Sequence, residues 1–166
     1  MKLIVAVLAL FVLSLPANSQ SDSVRKKPYE RFPGNVPLQL LLLDSSTIFT
    51  RDNLEKKKAV MLMLFSPDCE HCQHETEGII QHIDRFKDIQ IIMATTLPFA
   101  MMKDFNAKYD LGRFKNIVVG SDKRFLLPVY YDVRNLPFLA FYNKKKELIG
   151  VFEGALPVDK VLEKFQ

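Results

Sequence analysis

The chain has 166 residues, 48% of them hydrophobic, and a formal net charge of +4. That length suits one domain with a proper core. The mild basic excess has no aromatic residues interleaved with it, which argues against a nucleic-acid binder.

At the N-terminus, Lys2 precedes an almost wholly apolar stretch from Leu3 to Leu15, then Pro16, Ala17, Asn18, Ser19 and Gln20. A basic residue, a short apolar run and small residues at Ala17 and Ser19 read as a secretory signal cut before Gln20. The run is too short for a comfortable bilayer span, and no later segment is apolar enough for one. Ser21 to Asn35 is polar and carries Pro28, Pro33 and Gly34, which predicts an extended, poorly ordered lead-in. The expected division is a signal at 1–19, the lead-in at 20–35 and one folded domain at 36–166.

The folded part opens with a short apolar strand, Leu38 to Leu43. Asp44-Ser45-Ser46 is a turn, and Thr47-Ile48-Phe49 returns as the hairpin partner. Thr50 can N-cap a short helical turn through Leu54. Ala59 to Phe65 reads as a buried strand, Ser66-Pro67-Asp68 as a turn, and Glu70 to Phe86 as a helix. Ile79, Ile80, Ile83 and Phe86 give that helix one apolar face. Ile89 to Ala94 is a second buried strand. Pro98 starts a helix with Phe99, Met102, Phe105 and Tyr109 along one side. Ile117 to Val119 is a short strand, and Lys123 to Tyr130 a helical piece disturbed by Pro128. Phe138–Tyr142 and Leu148–Phe152 are strands around the 143–147 turn. Pro157 to Phe165 closes the chain as an amphipathic helix with Val158, Val161, Leu162 and Phe165 inward. The lysine runs 56–58 and 144–146 fall in turns and read as solvated loops. Strands separated by helices pair in parallel and hairpins pair antiparallel, so the expected fold is α/β, with a mixed central sheet flanked by helices on both faces.

Cys69 and Cys72 are the only cysteines in the chain. They follow the Ala59–Phe65 strand at the point where the next helix begins. The first sulfur therefore sits at a helix N-terminus, where the dipole and free backbone N–H groups stabilise a thiolate. A pair two residues apart closes too small a loop to be an effective staple. The placement favours chemistry: Cys69 as the attacking sulfur and Cys72, one turn deeper, as the resolving one. His71 lies between them, and its imidazolium would stabilise the Cys69 thiolate. Glu75 shares the helical face of Cys72 and can take its proton. Cys69, His71, Cys72 and His74 also crowd into six residues, but Cys69 and Cys72 with His74 close four-coordinate zinc geometry poorly from one helical turn, and the expected site holds no metal. Pro137 opens the strand Phe138–Tyr142. A cis bond there would turn the Leu136 backbone outward to pair with a substrate peptide.

From Leu38 onward the chain resembles the thioredoxin superfamily, most closely its exported TlpA-like and redoxin-like thiol–disulfide oxidoreductases. The residues that carry this are Leu62-Met63-Leu64-Phe65-Ser66-Pro67-Asp68-Cys69-Glu70-His71-Cys72, a strand running into CxxC, and Cys72-Gln73-His74-Glu75, similar to the CxxCxxE form. Tyr131 to Pro137 looks like the segment that ends in the family's cis-proline, about 65 residues after the pair. Phe152 to Leu156 resembles the glycine turn before the last helix, and Leu38–Phe49 the N-terminal β-hairpin extension. Asp68 stands where the family often has Trp, and Met63 where thioredoxins proper carry a buried acid. The resemblance implies a thioredoxin-like fold, a cis Pro137 packed beside Cys69, and a peptide groove including Leu136. It implies a reductase of protein disulfides that needs no dissolved cofactor. Its partners would be a disulfide- or thiol-bearing client protein and a redox protein that exchanges electrons. Neither nucleic acid nor a stable membrane span is expected. With the signal, this places the protein across the inner membrane, in the periplasm. The competing reading is a thioredoxin-like binding module or metallochaperone without redox turnover.

Overall fold

The structure is a computed structural model that describes residues 26–166. The expected signal at 1–19 and the start of the lead-in, 20–25, lie outside the described residues. Among the described residues no helix is long and apolar enough to cross a membrane.

The rest of the lead-in differs from the expected extended chain. Pro28–Arg31 forms one helical turn, α1. Pro28 occupies its first turn, and the Glu30 carboxylate accepts from the Lys27 backbone N–H at 2.8 Å. A four-residue helix has little stability of its own; this one is held by docking. The Tyr29 ring lies 5.8 Å from that of Tyr131, and the Tyr130 hydroxyl donates to the Phe32 carbonyl at 2.6 Å.

Seven strands form one mixed sheet: β1 (Gln39–Leu42), β2 (Ile48–Thr50), β3 (Ala59–Leu64), β4 (Ile89–Thr95), β5 (Ile117–Ser121), β6 (Phe138–Tyr142) and β7 (Leu148–Glu153). Their spatial order is β2-β1-β5-β4-β3-β6-β7. β3, β4 and β5 are parallel; β6 runs antiparallel to β3, and β7 to β6. The β1–β2 hairpin joins antiparallel to β5. Gly120 permits that join. A Cβ there would stand 2.6 Å from the Leu40 Cβ.

Four more helices complete the fold: α2 (Glu70–Gln81), α3 (Phe99–Lys108), α4 (Leu126–Tyr131) and α5 (Val158–Glu163). All six β3 residues are buried, as a central strand covered on both faces requires. Ala59, Met61 and Met63 face one core with Ile79 of α2, Met102 and Phe105 of α3 and Val161 of α5. Val60, Leu62 and Leu64 face a second core with Leu127, Tyr130 and Tyr131 of α4.

Two expected helices change shape. The helix expected to reach Phe86 ends at Gln81, because His82 turns to φ −118° and ψ 24° and its ring nitrogen Nδ1 stands 3.0 Å from the Gly78 carbonyl. A 3₁₀ turn, Ile83–Phe86, follows. The apolar face survives the break, since Ile79, Ile80, Ile83 and Phe86 all reach the first core. Pro128 does not disturb α4. It falls in the first turn, where its missing N–H has no intrahelical partner to lose.

Candidate active site

β3 delivers the chain to a tight turn. The Cys69 N–H donates to the Ser66 carbonyl at 3.2 Å, and the Ser66 hydroxyl bonds the Asp68 carboxylate. From α2, the Gln73 amide donates to the Pro67 carbonyl at 2.9 Å and is itself held by Lys108 of α3 at 3.0 Å. The turn is thus braced on two sides.

Cys69 is the N-cap of α2, with extended backbone (φ −83°, ψ 114°). Its sulfur accepts the Cys72 N–H at 3.4 Å and lies 3.9 Å from the Leu136 carbonyl oxygen. It is half-buried, whereas Cys72 is fully buried, and both thiols are free. Burial pushes the Cys72 thiol well above its ordinary range. The hydrogen bond to Cys69 and the charge of Glu75 add to the rise, while the Ser66 backbone opposes it. The sequence places the two sulfurs one turn apart, and the fold makes them chemically unlike.

Glu75 is only 4% exposed. Its Oε2 accepts the Leu156 N–H at 2.7 Å, and its Oε1 is buried without a hydrogen-bond partner. Burial raises its carboxyl to about 7, against the lowering effect of the Leu156 N–H. A buried carboxyl poised near neutrality beside a buried thiol is suited to move a proton. His71 is exposed, and among the described residues no hydrogen bond or ion pair joins its ring to either sulfur. His74 is exposed too and pairs with Glu77 at 3.5 Å. Among the described residues no three His, Cys, Asp or Glu side chains converge on a possible metal position.

The Leu136–Pro137 peptide bond is cis, and Pro137 is buried. The turn Glu153–Leu156, between β7 and α5, holds this loop. Glu153 Oε2 accepts from the Asn135 backbone N–H at 3.1 Å and from its side-chain amide at 3.0 Å. The Gly154 N–H donates to the Pro137 carbonyl at 2.7 Å. Gly154 sits at φ +111°, a conformation open to glycine and rarely to other residues. Two residues on, Leu156 holds Glu75. One turn thus anchors both the proline loop and the buried acid.

No protein-family model matches the chain, and no curated protein does. Solved structures do match. DsbF from MTB is 20% identical over 80% of this chain and 95% of its own, with a TM-score of 0.67. A secreted Mycobacterium tuberculosis disulfide oxidoreductase homologous to E. coli DsbE is 20% identical over 78% and 94%, with a TM-score of 0.64. The exposed lipoprotein thioredoxin Etrx1 of Streptococcus pneumoniae is 20% identical over 76% and 98%, with a TM-score of 0.58. The chain has a thioredoxin-like fold. At this identity the likeness is one of architecture, and the chemistry must be argued from the residues themselves.

Within that thioredoxin-like fold, the structure brings Cys69, Cys72, Glu75, Leu136 and Pro137 together and leaves His71 on the surface. Three contributors escaped the sequence reading: Glu153, Leu156 and Asp122. The Asp122 carboxylate, 1% exposed, accepts the Leu126 N–H at 3.1 Å and the Leu127 N–H at 2.8 Å, capping α4 beside the site. An aspartate four residues before an apolar helical run was the available signal. For Glu153 and Leu156 the signal was their place around Gly154.

Proposed function

We propose that the protein is an extracytoplasmic thiol–disulfide oxidoreductase that reduces disulfides of client proteins. The observation that carries this reading is the Cys69 sulfur, half-exposed at the α2 N-cap, bonded by a backbone N–H and seated 3.9 Å from the Leu136 carbonyl above the fully buried Cys72. The Cys69 thiolate attacks a client disulfide, forming a mixed disulfide and expelling the client's second sulfur as a thiolate. Cys72 gives its proton to Glu75 and attacks Cys69 Sγ, releasing the second client thiol. The client gains two electrons and the pair becomes a disulfide, which a redox partner protein must reduce again. Leu136 presents its backbone to the client chain, held in place by the buried Pro137 and its bond from Gly154, and His71 stands exposed at the helix start. No dissolved cofactor takes part.

The location rests on the signal-like segment 1–19, whose removal leaves a chain from Gln20, and agrees with relatives in fold described as secreted or exposed. We place the protein in the periplasm, with the α1 turn at Pro28–Arg31 docked on the domain at 36–166.

Insulin reduction tests the reading. Wild type turns over with dithiothreitol as the reductant, Cys69→Ser does not, and Cys72→Ser accumulates a mixed disulfide that excess dithiothreitol dissolves. A pair with no turnover and no trapped adduct is a binding module, and the reading fails. A reduction potential near about −270 mV supports the reducing direction; one near about −120 mV makes the protein an oxidant.

A further inference from the structure

Phe125 breaks two ordinary rules at once. The residue is 54% exposed, and its backbone sits at φ +55°, in the left-handed region that a bulky side chain rarely occupies. Its neighbours impose this. The Phe125 N–H donates to the Asp122 carbonyl at 3.1 Å while the Asp122 carboxylate holds the next two N–H groups. A glycine or asparagine would meet the backbone demand more easily. Strained positions cluster where function needs them.

Phe125 stands at the wall of a groove of about 240 Å³. Leu64, Phe65 and Ala94 from the ends of β3 and β4 line the groove, with Val133 and Leu136. Leu136 is also the residue whose carbonyl faces the Cys69 sulfur. The groove and the thiol site thus share Leu136, so a chain docked at Leu136 with its sulfur on Cys69 has the groove within reach of a neighbouring side chain. Arg134 is the single charged residue lining it.

We propose that Phe125 and this groove form a client subsite that receives the residue beside the attacked cysteine. The subsite selects a large apolar side chain and rejects a basic one. The inference rests on the oxidoreductase reading and extends it to client choice. Phe125 is a specificity determinant here, since it touches the client side chain and not the reacting sulfurs.

The test uses short peptides with one cysteine held as a mixed disulfide with glutathione, and Leu, Gly or Lys next to that cysteine. Reduced protein attacks through Cys69, Cys72 completes the exchange, and each turnover yields glutathione, peptide thiol and the oxidised Cys69–Cys72 pair. Wild type is expected to react with the Leu peptide roughly tenfold faster in kcat/KM than with the Gly peptide, the discrimination that one apolar side chain in a pocket supplies. The Lys peptide is slowest. Phe125→Asn keeps a residue that tolerates the left-handed backbone and removes the ring. Its Leu-to-Gly ratio is expected to collapse towards unity while its melting midpoint is no lower than that of wild type. Equal rates for all three peptides with wild type, or a full ratio kept by Phe125→Asn, overturn the inference and leave the oxidoreductase reading standing. If wild type also fails to reduce oxidised glutathione and insulin, the oxidoreductase reading falls first and takes the subsite with it.

Discussion

Cys69 and Cys72 share a helix and differ in what surrounds each sulfur. Cys69 caps the helix and meets solvent; Cys72 lies in the first core against Glu75. Glu75 is the residue that links chemistry to stability. Its carboxyl rises from an ordinary 4.5 to about 7 because it is buried. The folded state then binds that proton more tightly than the unfolded chain, so stability falls as pH climbs from about 4.5 to about 7 and levels off above. The loss is at most about 3.5 kcal/mol. Urea unfolding of Glu75→Gln is expected to lose this slope and to exceed wild type at pH 8. On the proposed mechanism the same substitution is expected to slow release of the client mixed disulfide by roughly a hundredfold. In wild type, that release step is expected to accelerate with pH up to about 7, as Glu75 becomes able to accept a proton. Stopped-flow traces across pH 5–9 check both statements.

Among the elements, two short ones depend on single residues. α4 starts on the paired bonds from Asp122, and Asp122→Ala leaves two N–H groups without their acceptor. Thermal unfolding of that variant is expected to show a loss of about 1–2 kcal/mol. β1 approaches β5 only because residue 120 has no side chain. Gly120→Ala places a methyl against the Leu40 Cβ, which a backbone shift alone relieves, at a cost of about 1–3 kcal/mol. The lower urea midpoint should come with weakened amide protection in β1. The interior strands β3, β4 and β6 were legible almost to the residue, because a strand covered on both faces must be a continuous apolar run. Helix ends were less legible. The expected Glu70–Phe86 helix is interrupted where His82 folds back on Gly78, and α1 exists because it docks on the tyrosines of α4.

At the scale of the whole molecule, the two lysine runs meet at the end of β3 away from Cys69. They are not simply solvated. Lys146 turns inward at φ +65°, and its ammonium donates to the carbonyls of Glu55 and Lys58, joining two loops about 90 residues apart in sequence. Lys146→Ala is expected to cost about 1–2 kcal/mol in urea unfolding, whereas Lys144→Ala and Lys145→Ala, at exposed positions, stay within about 0.5 kcal/mol. The sequence by itself determined the α/β class, the buried strands and the place of the dithiol, because hydrophobic period and a strand-to-helix junction are local properties written in neighbouring residues. Tertiary structure alone decided that β1 joins β5, that Glu153 and Leu156 hold the proline loop and the acid, that Glu75 is buried and Phe125 is not, and that Lys146 turns inward. Each of these depends on desolvation or on a contact between residues far apart in the chain, and neither exists until the sheet has closed.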